Sequence, residues 1–203
     1  MDIIEWCRQQ DIWYLKIDLE IPEVCIKEAQ AVYDEGFFVD HRYGDGDGWC
    51  SAALHSFVHE DDPDTSLGWH HTKNPNSYGL SEDNVKWGWT EIQEVAPETK
   101  RWLEDFPHKK YRRLRFMLLN PGGSIVAHND ASAERINAGR KRNIAGAINL
   151  AFYQPDNCYL RRVDTDENRF HFIMHGGFNK ERRQLMRQSL AKQFGKDVLK
   201  EID

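Results

Sequence analysis

Between residues 111 and 174 the chain carries one strand-like segment after another, with no helical pattern between them. Aliphatic, β-branched and aromatic residues dominate these segments, and Gly, Pro, Asn or Asp separate them, which is typical of short strands joined by turns. Helical patterns occur only before and after this region. Such an order predicts an antiparallel β core with helices packed outside it. The predicted strands are 111–119, 124–130, 143–153, 158–163 and 169–174.

The segments that flank this core have mainly helical or loop character. Residues 1–106 are rich in helix and loop patterns, 107–178 form the predicted core, and 179–203 are predicted to be a C-terminal helix. The polar stretch 59–84 reads as a long loop, and we expect it to act as a substrate-facing lid. We predict helices over 3–9, from Pro22 to a stop at Gly36, over 97–106 and over 180–201, with a strand over 49–58 and a short strand or turn over 90–95.

Length, charge and cysteine usage restrict the class of protein. With 203 residues, of which 40% are hydrophobic, the chain is expected to form a single domain with a substantial core. A formal net charge of −6 argues against a surface that coats nucleic acid. The apolar runs are too short for a membrane span, and no secretory signal pattern opens the chain. The four cysteines are scattered singly, which favours reduced thiols and a cytoplasmic location.

A His-x-Asp pair stands where the second core strand is predicted to end. A Pro-Gly-Gly turn at Pro121 breaks one apolar run and begins the next, which leads to His128 and Asp130. Because side chains alternate along a strand, the imidazole and the carboxylate point to the same face. Such a pair supplies two of the three ligands of a 2-His-1-carboxylate iron site, which leaves coordination positions open.

The last core strand places several polar side chains on one face. Arg169, His171, Ile173 and His175 alternate with Phe170, Phe172 and Met174. A guanidinium grips a carboxylate with two parallel hydrogen bonds, so Arg169 is the candidate partner for an anionic ligand. We expect this face to line a buried polar site. The alternative is an exposed polar face on an edge strand, and Arg113 and Arg115 on the first strand are expected to form surface ion pairs.

Three of these segments resemble the core strands of a known family. Residues 112–130, 143–152 and 164–173 are similar to strands of iron(II)- and 2-oxoglutarate-dependent oxygenases, in the aspartyl/asparaginyl β-hydroxylase-like branch. The resemblance implies a double-stranded β-helix, that is, a jelly-roll or cupin-like core. It also implies Fe(II) bound by His128 and Asp130, 2-oxoglutarate bound by Arg169, and hydroxylation of an amino acid or an Asp/Asn-type side chain. The expected partner is a small-molecule or peptide substrate.

The chain departs from the family pattern in one place. The family has a second metal-binding His upstream of the co-substrate Arg, on a hairpin. The corresponding position here holds Tyr159, and we expect the chain to lack, before Asp164, the hairpin that carries this His. The third ligand is therefore expected from His171, with His175 as the alternative. If His171 is aligned with the distal His of the family, Arg182 replaces Arg169 as the residue that binds 2-oxoglutarate. Two other functions stay open, a non-catalytic jelly roll with a degenerate metal site and a different cupin-like metal enzyme.

Overall fold

The structure is a computed structural model of the whole chain. It describes residues 3–12, 17, 20–41, 48–58, 81, 85–106, 108–125, 147–153, 158–159, 162–163, 166–178 and 180–202. The helices are α1 (Ile3–Gln9), α2 (Glu23–Asp34), α3 (Pro97–Glu104) and α4 (Lys180–Phe194), with 3₁₀ turns at Glu91–Glu94 and Lys196–Lys200. The strands are β1 (Val39–Asp40), β2 (Trp49–Val58), β3 (Lys86–Trp89), β4 (His108–Leu119), β5 (Ala147–Tyr153), β6 (Cys158–Tyr159), β7 (Arg162–Val163) and β8 (Arg169–Phe178).

The predicted helices are confirmed, and their ends follow from backbone chemistry. Gly36 adopts a φ of 77° just beyond α2, a left-handed conformation that favours glycine. Gly195 has a φ of 90° and ends α4, so the predicted helix over 180–201 continues only as a 3₁₀ turn. The segment predicted as a short strand or turn over 90–95 is also largely a 3₁₀ turn, and β3 was not predicted.

The fold is mixed α+β, and most of its strands join one sheet. The order is β1-β2-β4-β8-β5, and β3 also pairs with β2. Every pair with a described register is antiparallel. β1 pairs with the start of β2 and β3 with its end, and β4 pairs with β2 along 49–55, so β1 and β3 share one edge of that strand. The prediction of one strand over 158–163 is wrong, because Cys158 pairs with Val163 in a separate two-stranded hairpin.

The chain divides into two compact units, which we name the sheet unit (residues 21–105 and 111–176) and the terminal unit (residues 1–20, 106–110 and 177–203). In the sheet unit, the described side chains of β2 from Cys50 to Phe57 are all buried, so this strand is covered on both faces. One face of the sheet contacts α2 and the segment that follows it. There the rings of Tyr33 and Phe38 each lie 6.1 Å from the ring of Phe170 on β8.

The terminal unit has its own apolar core. Side chains from α1, α4, the last 3₁₀ turn and the segment after it form this core, namely Ile3, Trp6, Leu190, Val198 and Ile202. None of the helices in the described part of the chain combines the length and the apolar character needed to cross a bilayer. The division into a single domain with a core over 107–178 stays a prediction.

Candidate anion-binding site

Arg169 and His171 lie on the same face of β8, and both are buried. β8 lies between β4 and β5, so it is an interior strand of the sheet. The exposed fraction is 5% for Arg169 and 8% for His171. The alternative of an exposed edge strand is therefore wrong, and the expectation that this face lines a polar site stays a prediction. Charged residues are rarely buried unless a partner or a ligand compensates for the lost hydration.

Arg115 of β4 belongs to the same polar face. The rings of Phe116 and Phe172 meet at 4.8 Å on one face of the sheet, so alternation places the neighbouring Arg115 and His171 on the other. Arg115 is only 6% exposed. The expectation that Arg115 forms a surface ion pair is therefore wrong, because its strand is covered on both faces. The site contains two buried guanidinium groups and one buried imidazole.

A β-bulge in β2 lies directly across from Arg115. Ala53 is the Cα partner of Arg115, but the next pair along the ladder is His55 with Leu114, so one residue of β2 is extra. The hydroxyl of Thr90 donates to the carbonyl of Ala53 at 2.7 Å. Bulges bend and twist a strand locally and occur often beside functional sites, where they redirect side chains. Here the bulge lies on the strand next to the one that carries Arg115.

The surroundings of His171 keep its ring neutral and expose it to positive charge. Burial, and then the charges of Arg169 and Arg115, lower the pKa of His171 to about 3. The ring is therefore uncharged at neutral pH. Its Nδ1 is buried and has no hydrogen-bond partner in the described part of the structure. A neutral imidazole with an open nitrogen can bind a metal or hydrogen-bond a ligand.

A second polar contact joins the residue after β1 to the start of β2. The backbone N–H of His41 donates to the carbonyl of Trp49, and the Cα partner of Ser51 is Met117, two positions from Arg115. His41 Nδ1 and the Ser51 hydroxyl are hydrogen-bonded at 3.0 Å. The His41 and Trp49 rings lie 4.1 Å apart. These groups can orient a polar ligand, and none of them carries a fixed positive charge.

The structure does not describe all of the predicted site residues. His128 and Asp130 lie outside the described residues, as does the proposed lid apart from Ser81. His175 is on β8 opposite Ala147, and Arg182 is on α4, but only the backbone of each is described. Within the described part of the chain, no group of three or more His, Cys, Asp or Glu side chains is placed to hold a metal ion.

A cleft of about 340 Å³ lies elsewhere in the sheet unit. Its lining combines α2 with the start of β8, and it includes Ile26, Gln30 and Phe170. Because Phe170 points away from the face that carries Arg169 and His171, this cleft is distinct from the charged site.

No family model matches the chain, and no curated protein is significantly similar to it.

Proposed function

We propose that this protein is an Fe(II)- and 2-oxoglutarate-dependent dioxygenase that hydroxylates an amino acid or an Asp/Asn-type side chain. The observation that carries the proposal is the burial of Arg169 and His171, joined by Arg115, on one face of an interior strand. A dicarboxylate that enters a buried site loses its hydration, so it requires fixed positive partners. Guanidinium groups supply them with a geometry that matches a carboxylate.

The strand order supports a jelly-roll core. β4 precedes the His128 region in sequence and β5 follows it, yet β8, the last strand, lies between them in the sheet. In Greek-key and jelly-roll folds a late strand returns through a long connection and pairs beside an earlier strand, as β8 does here. We therefore propose that the described sheet is one of the two sheets of a double-stranded β-helix.

The chemistry of the predicted site residues suits the proposed cofactor and co-substrate. His128 and Asp130 would hold the iron, with His171 as third ligand, because its ring is neutral and has an open nitrogen. Iron and 2-oxoglutarate together supply the activation of oxygen for hydroxylation. Arg169 would bind the far carboxylate of 2-oxoglutarate through two parallel hydrogen bonds.

The charges of the site would make the binding of Fe(II) depend on the binding of 2-oxoglutarate. Arg169 and Arg115, whose charges lower the pKa of His171, would also repel an Fe(II) ion bound to the His171 ring. A bound dicarboxylate would offset this repulsion. The His41–Ser51 pair is a further candidate for orienting the polar end of the substrate. We propose a cytoplasmic location, which suits Cys7, Cys25 and Cys50, because none of them forms a disulfide in the described part of the structure.

The test is an anaerobic titration of the purified protein with Fe(II) and 2-oxoglutarate. The proposal predicts a metal-to-ligand charge-transfer absorption, followed by release of succinate when oxygen is admitted. His128→Ala should abolish both signals. Arg169→Gln should weaken 2-oxoglutarate binding at least tenfold, because it removes a bidentate charged partner.

A matched control is Arg101→Gln, since Arg101 is exposed on α3 and pairs with Glu98 at 2.9 Å. It should leave absorption and succinate release unchanged. If folded, iron-loaded protein gives neither signal, the chain is a non-catalytic jelly roll. Turnover that does not require 2-oxoglutarate would instead assign it to another class of metal enzyme.

A further inference from the structure

The cleft between α2 and the start of β8 has no role in the function proposed above. Its volume of about 340 Å³ lies within the range of pockets that hold small ligands. Ile26 and Phe170 give it an apolar lining, and Gln30 and Asn168 add two carboxamides. A lining that combines apolar side chains with a few polar groups is typical of binding sites.

Aromatic contacts hold the apolar floor of this cleft in place. The ring of Phe170 lies 6.1 Å from the ring of Tyr33 and 6.1 Å from the ring of Phe38, and the last two rings lie 6.3 Å apart. Because the three rings pack against one another, Phe170 has little freedom to turn into the cleft and fill it. The floor is therefore preformed, which lowers the cost of binding an occupant.

The cleft continues as a stripe along α2. Ile26, Gln30 and Tyr33 are spaced i, i+4 and i+7, so they lie on one side of the helix. Tyr33 is 39% exposed, and exposed tyrosines are enriched in protein interfaces. The stripe spans two turns of helix, about 10 Å, which corresponds to roughly three residues of extended chain. Its length therefore suits a short peptide segment.

The two carboxamides offer hydrogen bonds to such a segment. Nε2 of Gln30 donates to Oδ1 of Asp34 at 2.8 Å, which leaves the side-chain oxygen of Gln30 as an acceptor. The side chain of Asn168 forms no hydrogen bond with the residues that the structure describes, so its donor and its acceptor are both available. Each peptide group carries one donor and one acceptor. The carboxamides therefore match the backbone of a peptide.

A carboxylate at the end of the stripe favours a basic residue in the occupant. Among the described residues, Asp34 contacts only the neutral amide of Gln30. The ammonium of Lys27 on the same helix is paired with Glu23 at 2.9 Å. A basic residue near Asp34 would be attracted to its carboxylate, and an acidic residue there would be repelled.

We propose that this cleft is a docking site for a short extended segment of a partner protein, with an apolar residue next to a basic one. The apolar side chain enters the cleft against Ile26 and Phe170, and the basic side chain reaches Asp34. The inference goes beyond the proposed function, because the cleft lies on the opposite face of β8 from Arg169. It requires neither iron nor 2-oxoglutarate.

The experiment is an NMR titration of ¹⁵N-labelled protein in EDTA with the peptide acetyl-alanyl-leucyl-lysyl-alanine amide. Two matched peptides carry serine in place of leucine, or glutamate in place of lysine. We expect the backbone amide signals of Ile26, Gln30 and Asn168 to shift. The leucine–lysine peptide should bind at least fivefold more tightly than either matched peptide.

Three variants assign the contacts. Asn168→Ala should weaken binding of the leucine–lysine peptide at least threefold. Asp34→Asn should remove the preference for lysine over glutamate and keep the preference for leucine over serine. Gln184→Ala removes an exposed carboxamide of α4 in the terminal unit, and it should bind as the wild type does. Circular dichroism checks that each variant is folded.

Equal affinity for the three peptides would overturn the inference, as would the absence of shifts at the cleft or unchanged binding in both Asn168→Ala and Asp34→Asn. The outcome is separable from that of the proposed function. Succinate release by a protein that does not bind the peptide would remove the docking site alone. Peptide binding without 2-oxoglutarate-dependent turnover would retain the docking site and remove the oxygenase.

Discussion

The imidazole of His55 in β2 is buried among aromatic rings. It lies 4.9 Å from the ring of Trp89 and 6.0 Å from that of Tyr111. Its Nδ1 must carry the hydrogen, because it donates at 2.5 Å to the carbonyl of Arg112, which can only accept. Burial lowers the pKa of His55, and the hydrogen bond to Arg112 only partly offsets this effect.

His55 should therefore make the protein less stable in mild acid. Its folded-state pKa lies below the ordinary value of 6.5, so below that pH the unfolded chain binds a proton that the folded chain excludes. The free energy of unfolding should fall as pH drops from 7 to 5, and should fall less in His55→Phe, which keeps a ring but cannot titrate. Urea unfolding at several pH values measures this. Equal pH slopes for both proteins would contradict it.

The sequence pattern predicted that Arg169 and His171 share a buried face, but it did not predict that Arg115 is buried there as well. Arg169 and His171 were found because they alternate with aromatic residues along a strand, a pattern that is local. Arg115 follows four other basic residues, Lys109, Lys110, Arg112 and Arg113, and such a cluster resembles a solvated strand end. Yet Leu114 and the run from Phe116 onward are apolar on both faces, which was a local sign of a fully buried strand.

At the scale of elements, the first turn of α3 is capped by a carboxylate from another helix. Pro97 has no N–H, and Ala96 provides no side-chain cap. Instead Glu28 of α2 accepts hydrogen bonds from the backbone N–H groups of Glu98 at 2.9 Å and Thr99 at 2.7 Å. The hydroxyl of Thr99 donates to the same carboxylate at 2.6 Å. This buried contact ties α2 to α3.

Removing that cap should destabilise the fold. Glu28→Ala leaves buried donors without a partner, so we expect a loss of about 3 kcal/mol in the free energy of unfolding. Glu28→Gln should lose roughly half as much, because it keeps one acceptor oxygen. Glu23→Ala on the same helix is the control, since Glu23 pairs with Lys27 in solvent and should show no measurable change. Equal effects of Glu23→Ala and Glu28→Ala in denaturant titrations would refute the assignment.

Thr90 should hold the β2 bulge that faces Arg115. Its hydroxyl contacts the carbonyls of Ala53 at 2.7 Å and Leu54 at 3.2 Å, and accepts from the N–H of Ile92. Thr90→Val keeps the shape but removes these bonds, so stability should fall by about 1–2 kcal/mol. 2-Oxoglutarate binding should weaken as this part of the strand relaxes. Thr90→Ser keeps the hydroxyl and should retain most of the stability and of the 2-oxoglutarate affinity, which thermal unfolding and an anaerobic 2-oxoglutarate titration measure.

The long elements were predictable and the short ones were not. Pro22, Gly36 and Pro97 mark helix ends by backbone chemistry that acts locally. β3 has four residues, and its place depends on a partner strand, where Trp87 meets Phe57 at a ring distance of 5.9 Å. The hairpin of β6 and β7 has two residues in each strand. Such short strands are set by their partners and leave little periodicity to detect.

At the scale of the whole molecule, the terminal unit joins residues from both ends of the chain. The indole N–H of Trp6 donates to Glu201 at 2.7 Å, and its ring lies 5.8 Å from that of Phe194. Arg187 of α4 donates to the backbone carbonyl of Ile202 at 2.9 Å. No local pattern connects positions so distant in sequence, which is why the sequence predicted α1 and α4 but not their shared core.

Because these contacts join the two ends of the chain, the stability of α1 should depend on the last 3₁₀ turn and the residues after it. Deleting residues 196–203 removes the buried side chains of Val198 and Ile202, whose burial contributes roughly 3 kcal/mol or more. Amide exchange in α1 should therefore rise about a hundredfold, while β2 in the sheet unit keeps its protection. Lys200→Ala removes only a surface contact with Asp197 and should change neither rate. An isolated helix of seven residues is unstable in water, so α1 should depend on these contacts. Continued protection of α1 in the truncated protein would contradict that dependence.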